Sequence, residues 1–401
     1  MNQQSFIPFH VPSIGEEEIE EVADTLRSGW ITTGPKTARF EADFAQYLGA
    51  RHALAVNSAT AGMHLALAAL DLGPGDEAIT TPLTFCATAN VIIQVGATPV
   101  LADVLPDGNI DPASIAERIT PRTKAVLPVH LAGKPCDMDA IWSLAQRHNL
   151  RVIEDAAHAT ETQYRGWRLA SAGAPRASDA VAFSFYATKN LTTGEGGMVA
   201  TNSASLSERM RVLCLHGITK DAWNRYAEKG KWYYQVLESG FKYNLGDIAS
   251  AIGIHQLRKL EEFAAVRGRL VAIYREELGE VDELELPEEA TDGRHAWHLF
   301  AIRLRLEKLR IDRGEFMAEL QRHGVGASVH FIPLPLHPFF ARWAERPENR
   351  CPRALALYER LVSLPLYPAL GEEKVREVAR RVRQIVARHR TGRPVLAAVG
   401  D

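Results

Sequence analysis

Seven short apolar runs between Ala53 and Thr201 constrain this chain more than any other feature. They are ALAV (53–56), EAITT (77–81), TPVLADV (98–104), KAVLPVH (124–130), RVIED (151–155), AVAFSF (180–185) and GMVAT (197–201). Each has the length of a strand, and they alternate with stretches of helical spacing. Strands alternating with helices build a mostly parallel sheet with helices on both faces. Such α/β sheets bind ligands beyond the carboxyl ends of their strands. Asp155, Ser184 and the turn Ser58–Thr60 all fall at such ends.

The flanking segments read differently. Ser13 and Glu16 have capping-box spacing, and Ile19, Val22, Ala23 and Leu26 follow at helical intervals. An amphipathic helix is expected from about 15 to 28. After the sheet, Thr219 to Asn244 is aromatic and charged and reads as a hairpin or long loop. A long helix is expected from Asp247 to Leu278. A second set of strands begins at HAWHLFAIRLRL, and a last helix is marked by Val375, Val378, Ala379, Val382, Ile385 and Val386. The expected organisation is a large domain over 1–255, a smaller C-terminal α+β domain over 256–392 and a loose tail over 393–401. Neither an internal repeat nor a low-complexity segment is present.

With 401 residues, the chain has room for two domains. Lys plus Arg (46) and Asp plus Glu (49) nearly cancel, so bulk charge points to neither nucleic acid nor an acidic membrane. The arginines of the last helix are diluted by Glu372, Glu373 and Glu377 and read as a solvated face. The four cysteines are dispersed without a CxxC pair, which fits a reducing cytoplasm better than a disulfide framework or zinc site. The first residues lack signal-peptide character, and no apolar run is long enough to span a bilayer. His295 and His298 would be a metal pair without a third ligand, so no metal is expected.

Four constellations carry chemistry. In VNSATAGMHLALAAL, Ser58 or Thr60 can cap a helix whose N-terminus would welcome a phosphate, although alone this is what any capped helix looks like. In TPLTFCATAN, Phe85 follows a strand and could stack on a flat ring, or simply fill the core. In EDAAHA, Asp155 could keep a pyridinium nitrogen protonated, and His158 could donate to a ring oxygen. Either residue alone could equally be structural. In SFYATKN, Lys189 lies five residues after Ser184 at the sheet edge. A lysine desolvated there has a lowered pKa and becomes nucleophilic. A phosphate cradle, an acid and a lysine on one sheet edge are the parts of a pyridoxal 5'-phosphate site.

These stretches, with SGWITTGPK, GEGGMV, FKYNLGDIASAIG and HAWHLF, resemble the DegT/StrS family of pyridoxal-phosphate-dependent sugar aminotransferases in the family's own order. Within it the likeness is greatest to the branch that makes UDP-4-amino-4-deoxy-L-arabinose. It weakens at Phe85, where that branch tends to have Trp, and through Lys229–Ser239. The resemblance implies an aspartate-aminotransferase-like, fold-type I architecture. It implies that Lys189 forms the Schiff base and moves the proton, that Asp155 pairs with the ring nitrogen and that His158 lies near the ring oxygen. It implies that Phe85 stacks on the ring, and that Ala59, Thr60 and Ser184 hold the phosphate. It also implies a homodimer with shared active sites, in which Asn244 reaches the neighbouring subunit's phosphate and Thr219–Asn244 crosses the interface. His330 would line the sugar-nucleotide pocket. Retention of Lys189, where deoxygenating members carry histidine, implies transamination. The substrates implied are L-glutamate and a keto-sugar nucleotide, with a UDP-linked 4-keto sugar favoured over 3-keto, dTDP- or GDP-linked ones. A pyridoxal-phosphate lyase and a non-catalytic sensor are the competing readings.

Overall fold

The computed structural model describes residues 6–218, 234–344 and 350–391. The expectations for most of the interface-crossing arm, 219–233, and for the tail lie outside the described residues.

In chain order the first strands are β1 (His52–Val56), β2 (Glu77–Thr80), β3 (Thr98–Leu101), β4 (Thr123–Leu127) and β5 (Arg151–Asp155). A small hairpin, β6 (Gln163–Tyr164) and β7 (Trp167–Arg168), precedes β8 (Ala180–Ser184) and β9 (Gly197–Thr201). The main sheet has the order β1-β9-β8-β5-β4-β2-β3 and holds all seven apolar runs. Every pairing is parallel except those of β9, which runs against both β1 and β8. The strands are buried along nearly their whole length, the pattern of a sheet covered on both faces.

Helices α1 (Glu16–Ser28), α2 (Pro35–Leu48), α3 (Ala59–Ala69), α4 (Ala87–Gln94), α5 (Pro112–Arg118), α6 (Met138–His148) and α7 (Ala204–Cys214) surround it. Apolar side chains of α3 and α7 pack with β1, β5, β8 and β9 into one core. Phe40, Phe44 and Leu48 of α2 join Phe183 and Phe185 in another.

Helix α8 (Asp247–Leu278) continues through position 256 without a break. It contributes Leu257 and Leu260 to the core beneath α2, then Leu270, Val271 and Tyr274 to a separate C-terminal core. That second core lies between α8 and an antiparallel sheet whose order is β10 (Leu284–Glu285), β12 (Phe300–Leu304), β13 (Leu361–Leu364). The two-residue strand β11 (Gly293–Arg294) instead joins β6 of the hairpin. Helices α9 (Arg313–Arg322), α10 (Pro338–Ala344), α11 (Pro352–Tyr358) and α12 (Glu372–His389) complete the described residues. The expected apolar stripe of α12 is buried, and Arg376, Arg380, Arg383 and Arg390 are ion-paired with glutamates.

Helix α1 corrects two expectations. Its N-cap is Gly15 rather than Ser13, with the Glu18 carboxylate accepting from the Gly15 N–H at 2.8 Å. Its amphipathicity is also inverted. The polar face packs on α8, through Glu18 with Gln256 (2.9 Å) and Lys259 (2.8 Å), and Glu21 with His255 (2.8 Å). Ile19 and Leu26 face outward and are 53% and 55% exposed.

Candidate active site

The carboxyl ends of the parallel strands converge on a cavity of about 500 Å³. Ser58, Ala59, Thr60, Phe85, Asp155, His158, Ser184, Lys189 and His330 all line it. Eight of these are the cofactor-site and substrate residues expected from sequence, and Ser58 caps the helix that carries two of them. The ninth expected residue, Asn244, is absent from the lining. It forms an isolated antiparallel bridge with Val56 at the end of β1, and its amide donates to Thr33 Oγ1 at 2.7 Å.

The phosphate cradle is the start of α3. Of the two hydroxyls offered by sequence, Ser58 is the cap, accepting from Ala61 N at 3.1 Å. The amides of Ala59 and Thr60 sit in the first helical turn, where intrahelical acceptors are lacking and the helix dipole favours an anion. Gly197, opposite, admits no side chain, because a Cβ there would lie 2.6 Å from Ala59 N.

Asp155 ends β5, with its carboxylate held from two sides. Thr88 Oγ1 donates to Oδ2 at 2.8 Å and Ala157 N to Oδ1 at 3.1 Å. Thr88 is itself bonded to Thr84 at 2.8 Å. Burial raises the Asp155 carboxyl, and the Thr88 and Ala157 hydrogen bonds and the nearby Lys189 oppose that rise. Burial lowers the Lys189 ammonium from 10.5 to about 8, against a raising effect of Asp155. The lysine is therefore a base or nucleophile near neutrality.

Histidine chemistry surrounds this pair. Ala132 N donates to His158 Nδ1 at 3.3 Å, so the neutral ring carries its proton on Nε2. Burial, then the charges of Lys189 and His330, hold His158 well below its ordinary pKa. His330 bonds Ser363 at 3.0 Å and stacks on Phe9 at 5.5 Å; burial lowers it to about 4. Phe331 stacks on His158 at 5.6 Å and lies 6.0 Å from the Phe85 ring. Phe85 is 61% exposed, so it is a wall of the cavity and not a core residue.

Sequence reasoning missed Phe9, Thr88, His298 and Phe331. Thr88 had a signal, since Thr84 and Thr88 flank Phe85 at i, i+4. Phe9 arrives on an N-terminal segment anchored to the C-terminal core by Ile7, and nothing local announces it. His295 and His298 part company: His295 lies flat on Trp297 at 3.8 Å, whereas His298 lines the cavity. Among the described residues no group of three His, Cys, Asp or Glu side chains could hold a metal ion.

The match to the family model of the DegT/DnrJ/EryC1/StrS aminotransferases extends over residues 12–383. The chain belongs to that family. It is 48% identical over 383 residues to the spore coat polysaccharide biosynthesis protein SpsC of Bacillus subtilis, covering 95% of this chain and 97% of SpsC. Among solved structures it resembles the sugar aminotransferase Spr1654 of Streptococcus pneumoniae in its PMP form, with 32% identity and a TM-score of 0.88 over 95% of this chain and 99% of that one. Helicobacter pylori PseC, an aminotransferase of pseudoaminic acid biosynthesis, is 28% identical with a TM-score of 0.87, covering 96% and 100%. The fold is that of the fold-type I aminotransferases. This member is a pyridoxal-phosphate-dependent sugar aminotransferase, and the anion cradle, buried acid and low-pKa lysine fit that cofactor. No described helix is long and apolar enough to cross a membrane.

Proposed function

We propose that this enzyme transfers the amino group of L-glutamate to a nucleotide-linked keto sugar, with a UDP-linked 4-keto sugar as the first candidate. The observation that carries this reading is the convergence of Lys189, buried Asp155 and the α3 N-terminus on one cavity. Bound pyridoxal phosphate supplies the electron sink that stabilises negative charge on the reacting carbon.

The chain's own residues do the rest. Ala59 and Thr60 amides and the Ser184 hydroxyl hold the phosphate. Asp155, fixed by Thr88, keeps a proton on the ring nitrogen, and a cationic N–H against it offsets the cost of its buried charge. His158 Nε2–H donates to the ring oxygen. Lys189 would hold the cofactor covalently and would carry the proton at the substrate's α-carbon; a lysine near 8 suits that task at working pH. Phe85 covers the ring. His330 borders the substrate side of the cavity.

The working unit in this reading is a homodimer. Asn244 lies outside its own chain's cavity, which suits a role in a neighbour's site. Ile19, Leu26, Trp30 and Ile31 leave an apolar face uncovered near the turn that holds Asn244 through Thr33.

The test is the visible spectrum of the purified protein before and after L-glutamate. Bleaching of the cofactor band with release of 2-oxoglutarate, followed by recovery with a keto-sugar nucleotide, is the expected result. A band indifferent to glutamate would overturn the donor, and keto acid release without recovery by any sugar nucleotide would overturn the acceptor.

A further inference from the structure

Beneath the lysine loop lies a buried network that the catalytic roles above leave unused. Arg267 of α8 pairs with Glu161, and both side chains are almost wholly inaccessible. Asn190, next to Lys189, donates its amide to Glu161 at 2.9 Å and to the carbonyl of Ala296 at 3.0 Å. A carbonyl only accepts, so the orientation of this amide is determined. Asn190 Oδ1 then faces His298 Nδ1 at 3.1 Å, and Nδ1 must carry the proton. Burial, and after it the charges of His158 and Lys189, keep the ring neutral. Its Nε2 is therefore a bare lone pair, and among the described residues nothing bonds it. His158, whose ring centroid is 4.4 Å away, has the opposite tautomer. The cavity thus presents one imidazole as donor and its neighbour as acceptor.

We propose that His298 is a substrate-recognition residue whose bare Nε2 accepts a hydrogen bond from a sugar hydroxyl, and that Glu161, Arg267 and Asn190 are positioning residues that fix this tautomer. The inference rests on the sugar-aminotransferase reading and deepens it. The acceptor favours the sugar over the amino donor for a chemical reason. Glutamate's only donor, its amino group, is the reacting group beside Lys189, and what remains is carboxylate, which only accepts, whereas a sugar ring brings further hydroxyl donors. The histidine thus biases the two substrates of one cavity.

Two measurements test it. Nitrogen NMR of histidine-labelled, cofactor-loaded enzyme reads which ring nitrogen carries the proton. His298 is expected to be protonated on Nδ1 and His158 on Nε2, and Asn190→Ala should leave His298 a mixture of tautomers with His158 unchanged. Protonation of wild-type His298 on Nε2, or indifference of His298 to Asn190→Ala, would overturn the inference. The second measurement compares half-reactions of His298→Phe, with L-glutamate and then with a UDP-linked 4-keto-6-deoxyhexose. The sugar half should fall about five- to tenfold more than the glutamate half, the loss of one neutral hydrogen bond, and His298→Gln should restore most of the difference. Equal loss in both halves would overturn the proposal and assign the acceptor to Lys189, which serves both. Failure of the wild type to react with glutamate would sink the aminotransferase reading itself, while the NMR result would still stand.

Discussion

The rim of the main sheet and the outer face of α1 are opposites. At the rim, Asp155, His158, Glu161 and His298 are buried, and each has a defined polar partner. On α1, Ile19 and Leu26 stand in solvent while Glu18, 1% exposed, is turned inward. Each region breaks the rule of apolar inside and polar outside, in opposite directions. Buried polar groups are tolerated only when satisfied, so the rim marks where chemistry needs them. A contiguous exposed apolar face marks a surface that expects cover. One inversion locates the cavity, and the other marks the face that the proposed homodimer would cover.

Removing the lysine tests the rim hardest. Lys189→Ala should lower amino transfer about a thousandfold or more, as loss of both covalent attachment and proton carrier, and abolish the visible band. A variant with intact spectrum would end the assignment of Lys189. Asp155→Asn should slow transfer on the order of a hundredfold. It also removes the charge that raises Lys189, so in the cofactor-free protein the lysine should titrate below about 8, measured as the pH dependence of its chemical modification. No change in that profile would mean the two groups do not interact.

The α1 face calls for the reverse substitution. Ile19→Glu with Leu26→Glu should weaken self-association about a hundredfold in Kd, the scale of uncovering two apolar side chains, seen by light scattering on dilution. An unaltered oligomer would mean that this face is not the interface. The smallest effect is on stability. His10, His295 and His330 are lowered by burial to about 4, 3 and 4. Unfolded, each takes up a proton near 6.5, so acid favours the unfolded chain. The stability they contribute is complete above about 6.5 and lost as pH falls toward 4. The thermal midpoint should slope downward across that window; a flat profile there would mean that these rings are hydrated.

The strands were legible because burial on both faces leaves no choice of residue, and seven apolar runs became seven strands of one sheet. The cavity residues Asp155, Ser184 and Lys189 were legible because strand ends are where such sheets put ligands. Helix α1 was legible as a helix and misread as to face. Period alone cannot say which stripe meets a neighbour, and α8 offers Gln256, Lys259 and His255 to the polar one. The network under Lys189 was illegible for another reason. Glu161 meets Arg267 across 106 positions and Asn190 meets His298 across 108, and no local pattern records such pairings.

One consequence of the sheet's topology concerns how Lys189 is kept in place. Elsewhere in the main sheet the chain passes from one strand to the next through a helix or, between β5 and β8, through the β6–β7 hairpin. Strand β9 instead turns back beside β8, with Ser184 and Gly197 directly opposed. The segment between them is a closed loop tied at both feet to the middle of the sheet, and Lys189 sits within it. The one strand that runs against its neighbours therefore works as a tether, and in the role proposed for Lys189 it would let the side chain exchange one partner for the next while its backbone stays anchored to the sheet.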